Sequence, residues 1–228
     1  MTTIPVARIR HRSAWLFAAV LLAAAARLDA QVREPVGPFS ADVRVALPRF
    51  KEDVSVASSI GVDSVEMPSS GLGLVFGAHW YPVRSRRVTL GVGGEILLSR
   101  GSKSPEVDEG TDGVPPPAIP GPTVTTRFSS VSPQVSLNFG SNRGWSYLTG
   151  GLGWGGLVTE REDAPVADAD SSPRVLNYGG GARWFAKQHV AFALDLRFYA
   201  VGAQEATIGR PAYPATTMMV FSAGVSFK

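Results

Sequence analysis

Three features of this sequence predict an all-β fold, an eight-stranded antiparallel up-and-down transmembrane β-barrel. Apolar residues recur with period two in eight segments of about ten residues. The connections between those segments alternate long and short. Finally, 25 Gly and 17 Pro stand in a chain that is 44% hydrophobic and only 18% charged. Gly and Pro are the poorest helix formers, which argues against a helical bundle. The chain is also too apolar and too regularly patterned for disorder. Its 228 residues suffice for one all-β domain and are too few for two well-cored ones. With no cysteine, neither a disulfide framework nor a thiolate metal site is available.

The first 30 residues read as an address. Arg8, Arg10 and Arg12 form a basic region, and an unbroken apolar run follows from Ala14 to Ala26. That run is too short for a hydrocarbon core needing roughly 20 helical residues. It fits a signal-peptide core of about 7–15 residues. Residues 1–30 are therefore expected to be a signal peptide cleaved after Ala30, leaving residues 31–228 as the barrel domain. No adjacent Arg pair precedes the run, so the general secretory route is preferred to the twin-arginine one. A buried core helix is disfavoured, because no second helical apolar stretch exists for it to pack against.

Charge then excludes a partner. The sequence pI near 9.4 suggests nucleic acid. Of 22 basic and 19 acidic residues, however, the first 30 residues hold Arg8, Arg10, Arg12, Arg27 and Asp29, which leaves 18 of each sign. A neutral chain offers no electrostatic footprint for a polyanion, so no nucleic acid is expected.

Each strand follows from its alternation. In Phe39–Leu47 the apolar positions Phe39, Ala41, Val43, Val45 and Leu47 face away from Ser40, Asp42 and Arg44. Gly71–Tyr81 sets Leu72, Leu74, Phe76, Ala78 and Trp80 against Gly73, Val75, Gly77, His79 and Tyr81. Val88–Ser99 sets Leu90, Val92, Ile96 and Leu98 against Thr89, Gly91, Gly93 and Glu95. The fourth segment ends in Val131, Pro133, Val135, Leu137 and Phe139 against Ser132, Gln134, Ser136 and Asn138. Trp145–Val158 is glycine-rich, and its register stays open. Val175–Phe185 sets Leu176, Tyr178, Ala182 and Trp184 against Asn177, Gly179, Gly181 and Arg183. Val190–Tyr199 sets Phe192, Leu194, Leu196 and Phe198 against Ala193, Asp195 and Arg197. Thr217–Phe227 sets Met219, Phe221, Ala223, Val225 and Phe227 against Val220, Ser222, Gly224 and Ser226.

About ten residues is what a tilted strand needs to cross a bilayer. Long polar links at 48–70, 100–123, 159–173 and 202–215 alternate with short links at 82–87, 140–144 and 186–189. Long external loops and tight periplasmic turns in alternation are the mark of membrane barrels. The less apolar face is mostly Gly, Ala and Ser with a few charges, which suits a narrow lumen. Asp42, Glu95 and Asp195 against Arg44, Arg183 and Arg197 make an equal tally on that face, joined by His79. An unpaired charge in a confined lumen costs several kcal/mol, so a mutually satisfied network is expected. The tight turn at 186–189 sets Arg183 opposite Ala193, with Asp195 as its diagonal partner. Trp80, Tyr81, Phe139, Trp145, Trp184, Phe185 and Phe227 lie beside the short turns and are expected to form an interfacial aromatic girdle.

In these features residues 37–228 resemble the OmpA-like family of small outer-membrane barrels, most closely in Val190–Tyr199 and the closing Val220–Phe227. The resemblance implies residence in the bacterial outer membrane as a monomer, among outer-membrane lipids and lipopolysaccharide. It also implies handling by the barrel-assembly machinery, which in that family reads a terminal aromatic residue. Here Phe227 is penultimate and Lys228 follows. The peptidoglycan-binding domain of larger members has no room, because the chain stops at the eighth strand.

Other chemistry was weighed against plainer readings. Gly151-Leu-Gly153-Trp-Gly155-Gly156 matches a dinucleotide fingerprint, but no helix follows to face a pyrophosphate. A glycine-rich strand is preferred. His79 shares a face with Glu95 and Tyr81, yet no paired serine accompanies it and one histidine makes no zinc site. Outer-membrane lipid A deacylases carry His and Ser spaced by one residue on a barrel strand, a spacing absent here. Glu160, Glu162, Asp163, Asp168 and Asp170 could hold Ca²⁺ or bridge to lipopolysaccharide, but they lack the full loop pattern. The Pro-rich Val114–Pro122 reads as a stiff loop tip. No enzyme activity, cofactor or metal is expected. The leading functional expectation is a structural or surface-interaction protein presenting four extracellular loops. The alternatives are a narrow pore for ions or small solutes and a soluble lipid-binding barrel.

Overall fold

Alternation gives every segment two chemically different faces, and a sheet that closes on itself can bury one face while exposing the other. The computed structural model describes residues 34–228 apart from 86–87, 105, 108–118, 165–171 and 207–211. The signal peptide and its cleavage site lie outside the described residues, as do Asp168, Asp170 and most of Val114–Pro122. Eight antiparallel strands form one closed barrel: β1 (Phe39–Arg49), β2 (Leu72–Arg84), β3 (Thr89–Lys103), β4 (Val124–Ser141), β5 (Gly144–Arg161), β6 (Arg174–Phe185), β7 (Val190–Val201) and β8 (Thr216–Phe227). Each pairs with its neighbour in sequence, and β8 closes on β1 with Ala41 opposite Phe227 and Arg44 opposite Gly224.

All eight strands exceed the ten-residue expectation, two of them by the most. β4 and β5 each run 18 residues and stay paired from Val124–Arg161 to Ser141–Gly144. The extension begins with Val124, Thr125 and Thr126, whose β-branched side chains favour extended backbone. The register of β5, open in the sequence, is set by Leu148 opposite Leu137 and Trp154 opposite Val131, which turns Leu148, Leu152 and Trp154 outward. The β4–β5 turn needs only Asn142 and Arg143, and Gly140 supplies a φ of 143° that side chains resist. The dinucleotide-like glycines fall inside β5.

The first long connection is not a polar loop throughout. It holds α1 (Val54–Ser59), capped by Asp53, whose carboxylate accepts from the amides of Ser55 at 2.9 Å and Val56 at 3.4 Å. A 3-10 turn, Ser64–Glu66, follows. In the second long connection Glu106–Val107 pairs with Ile119–Pro120.

The exterior is apolar. Val43, Val45, Leu74, Phe76, Ile96, Leu137, Leu152, Leu176, Leu194 and Phe221 are all exposed, while charged residues occupy the interior. A soluble protein rarely exposes so continuous an apolar surface. Hydrocarbon accepts it, and closure leaves no backbone edge unpaired there.

Candidate functional site

The barrel interior is where the chain concentrates its buried polar groups, and it is filled in successive layers. At the short-turn end Val36, Tyr81, Trp145, Tyr147 and Phe185 pack together. Trp145 meets Tyr81 edge-on at 6.0 Å and stacks on Phe185 at 5.1 Å. The Tyr81 hydroxyl shares a 2.8 Å hydrogen bond with Ser40. Beneath them the Lys228 ammonium lies 3.8 Å from the Phe185 ring centroid and donates to Asn142 Oδ1 at 2.9 Å. The Asn142 amide in turn donates to the Glu34 carbonyl at 3.0 Å.

This layer corrects three expectations. Tyr81, Trp145 and Phe185 do not belong to an outward girdle; the first two are 2% and 3% exposed, and all three plug the lumen. Nearness to a turn does not choose a face, whereas alternation does: Tyr81 follows outward Trp80, and Trp145 shares its face with Tyr147. Trp80, Phe139, Trp184 and Phe227 point outward, Trp80 being 60% exposed.

Above the aromatic layer lie the six lumen charges, all buried. Arg183 binds Asp42 through both arms, Nε to Oδ1 at 2.9 Å and Nη2 to Oδ2 at 2.5 Å. Its guanidinium carbon sits 4.3 Å from the Tyr147 ring centroid. Arg197 grips Asp195 at 2.7 and 3.2 Å and reaches Glu95 at 3.2 Å. Arg44 bridges the same two carboxylates: it bonds Glu95 and lies 3.1 Å from Asp195. Two tyrosines complete the set, Tyr147 donating to Asp195 at 2.7 Å and Tyr199 to Glu95 at 2.6 Å. Every buried charge thus faces an opposite one, the condition under which ions tolerate burial.

The register agrees with the sequence reading, with Arg183 opposite Ala193, Gly179 opposite Arg197 and Gly181 opposite Asp195. The expected Arg183–Asp195 pair, however, does not form. Arg183 spans the bore to Asp42 on β1, while Asp195 is taken by Arg197, Arg44 and Tyr147. In so narrow a lumen the far wall is within a side chain's reach, and sheet neighbours hold no privilege. Glycine makes the room: a Cβ on Gly181 would stand 2.6 Å from the Tyr147 hydroxyl.

His79 is buried in this region, and neither ring nitrogen has a hydrogen-bond partner among the described residues. Its ring lies against Gly93, where a Cβ would approach Cδ2 to 2.7 Å. Gln134 donates to Asn177 at 3.1 Å and accepts from Thr149 at 3.4 Å.

The loop-end half of the lumen was not anticipated. Ala46, Val75, Leu97, Phe128, Val175, Val201, Met218 and Val220 form an apolar plug with Phe50 and Leu157. Tyr199 joins the halves, its ring edge-on to Phe128 at 5.6 Å and its hydroxyl on Glu95. The available signal was a break in alternation: Val75 sits between Leu74 and Phe76, and Leu97 between Ile96 and Leu98. Over this plug α1 lays Val56 and Ala57 against Met67 and Tyr213. Tyr213 is fastened to Thr159, accepting from its amide at 2.6 Å and donating to its carbonyl at 3.2 Å.

Two described carboxylates of the third long connection are engaged by cations. Glu160 pairs with Arg127, and Asp163 binds Arg161 at 2.7 Å, which holds the Asp163 carboxyl below its ordinary range. Among the described residues no group of three His, Cys, Asp or Glu side chains is placed to hold a metal ion. Arg100, Thr123, Thr125, Glu160, Arg161 and Glu162 line a polar cleft of about 300 Å³ beside them.

No protein-family model and no curated protein matches the chain. Solved structures do. Neisserial surface protein A is 13% identical, with a TM-score of 0.52 over 84% of this chain and 97% of that one. OprG from Pseudomonas aeruginosa is 12% identical, covers 86% and 97% and gives a TM-score of 0.47. Ail of Yersinia pestis is 15% identical, covers 84% and 98% and gives 0.45. At such identities the likeness is one of fold: the chain is a small, closed, eight-stranded antiparallel barrel with an apolar exterior around buried charges, built like Neisserial surface protein A.

Proposed function

We propose that this protein is a non-enzymatic, closed barrel that anchors four extracellular loops for a structural or surface-interaction role. The observation that carries this reading is the filled lumen. Aromatic, ionic and apolar layers follow one another along the bore, and α1 covers the last of them. An ion passing through would have to separate buried charge pairs, and such a separation costs several kcal/mol. The long connections also differ from the turns in kind. The first contributes a capped helix packed on Tyr213, which makes it a built surface.

Planar-bilayer recording tests the closed lumen. The purified protein is expected to give no stepwise conductance, and reproducible unitary steps would replace this reading with that of a narrow pore. The absence of native cysteine makes the orientation testable as well. Ser58→Cys in α1 should react with a membrane-impermeant maleimide on intact cells, whereas Gln188→Cys in a short turn should react only after lysis. The reverse pattern would invert the assignment of loops and turns.

A further inference from the structure

The chain after residue 30 is neutral, yet the fold sorts its charges by end. The three short connections, 82–87, 140–144 and 186–189, contain Arg84, Arg86, Arg87, Arg143 and Lys187 and no acidic residue. Lys228 ends β8 on the same side. The four long connections, 48–70, 100–123, 159–173 and 202–215, contain fourteen acidic residues against Arg49, Lys51, Arg100, Lys103, Arg161 and Arg210. Most counter-charges therefore sit at the far end of the barrel, while at the basic end the Glu34 carboxylate accepts from the Asn142 side chain at 3.1 Å. Arg86 and Arg87 lie outside the described residues. Arg84, Arg143 and Lys187 are exposed, and none of the three forms a salt bridge among the described residues.

Position narrows the partner. Each cation follows an outward aromatic residue on the same strand or its turn: Arg84 after Trp80, Arg143 after Phe139, Lys187 after Trp184 and Lys228 after Phe227. Interfacial aromatics settle at headgroup depth. A separation of one to four residues, at roughly 3.3 Å each, holds the cations within the phosphate layer just beyond it. The four points also divide the rim, one at each hairpin and one at the β8–β1 seam.

We propose that the short-turn end is a seat for anionic phospholipid headgroups, in which Arg84, Arg143 and Lys187 bind phosphates around the barrel. The ligand is the lipid of the surrounding leaflet and not a polymer beyond it, because a two-residue turn such as Asn142–Arg143 cannot carry its cation far from the aromatic depth. Lys228, tied to Asn142 and Phe185, braces the seat.

The test reconstitutes the full chain into vesicles of phosphatidylcholine mixed with phosphatidylglycerol and measures, by native mass spectrometry, the lipid kept on release. The wild type is expected to retain phosphatidylglycerol above its bulk share, and the excess should shrink in raised salt. In Arg84→Gln/Arg143→Gln/Lys187→Gln the excess should fall at least twofold. Retention at the bulk ratio, or an excess unaffected by both salt and the triple substitution, would overturn the proposal. So would wild-type binding to purified peptidoglycan that the triple variant loses while its lipid retention stays unchanged. The salt series uses no variant, so the outcome stands even where the triple variant folds poorly.

Discussion

The two halves of the lumen are closed by opposite chemistry on the same face of the same strands. Asp42 and Arg44 on β1 give way to Ala46, Glu95 on β3 to Leu97, and Ser222 on β8 to Val220 and Met218. On the short-turn side closure is directional: each guanidinium finds a carboxylate, and Tyr147 and Tyr199 use remaining acceptor capacity. On the loop side closure is volumetric, with Phe128, Leu97 and Met218 filling space against one another. The contrast teaches that a narrow bore can be filled by either route, but with different tolerances. An ionic plug requires the right partner, because an unpartnered buried charge is costly. An apolar plug requires only the right volume.

The largest way to break that contrast is to remove one partner from the ionic half. Asp42→Ala leaves Arg183 buried without its carboxylate and is expected to destabilise the barrel by about 3–5 kcal/mol in urea unfolding from liposomes. Adding Arg183→Ala should recover part of the loss, with a coupling above roughly 1 kcal/mol. Additivity would show that the pair does not interact.

The matched change in the apolar half is Leu97→Ala, expected to cost about 2–5 kcal/mol by the same measurement. Leu97→Met, which conserves volume, should cost less than about 1.5 kcal/mol. Glu95→Gln, just as conservative in shape, should cost more than Leu97→Met, because Arg44 and Arg197 would be left sharing Asp195. Equal tolerance at positions 95 and 97 would erase the distinction between the halves.

Outside the lumen, Leu194→Arg places a charge on the lipid face at a cost of about 2–4 kcal/mol if the site lies at mid-bilayer. Val54→Arg, on the exposed side of α1, should change folding yield little. Comparable yields from the two would contradict the lipid-facing assignment of β7.

The smallest expected effect is at the lid. Asp53→Ala removes the cap of α1 and should cost about 1 kcal/mol locally, read as faster amide exchange over residues 54–60. Hydrogen bonding from the Ser55 hydroxyl, followed by the amides of Val56 and Ser55, holds the Asp53 carboxyl below its ordinary range. A lowered folded-state pKa means this contribution is present above the ordinary carboxylate value of about 3.9 and fades as pH falls through the lowered one. Protection of the α1 amides, taken relative to their intrinsic exchange rate at each pH, should therefore fall only in acid, and a fall in protection on raising the pH would contradict the cap.

Strands and faces were legible because alternation is a local property: Leu194 outward and Asp195 inward follow from one residue's step along β7. Partners were less legible. Arg183 and Asp42 are 141 residues apart, and no spacing rule joins them. Tyr81 and Trp145 were misplaced when position along the strand was allowed to override parity. The capped lid was readable in part, since Asp53 stands three residues before Val56, but its packing on Tyr213 depends on a connection at the other end of the chain.

By itself, then, the order of residues determined an eight-stranded antiparallel barrel, the face most strand residues take outside β5 and the equal tally of lumen charges, because pleat and turn length act over a few residues. Only the closed tertiary structure decided which charge meets which, and that the loop-end lumen fills with hydrocarbon. Closure brings opposite walls within a side chain's length, and contacts across a bore are set by the circle of strands, not by neighbours in sequence.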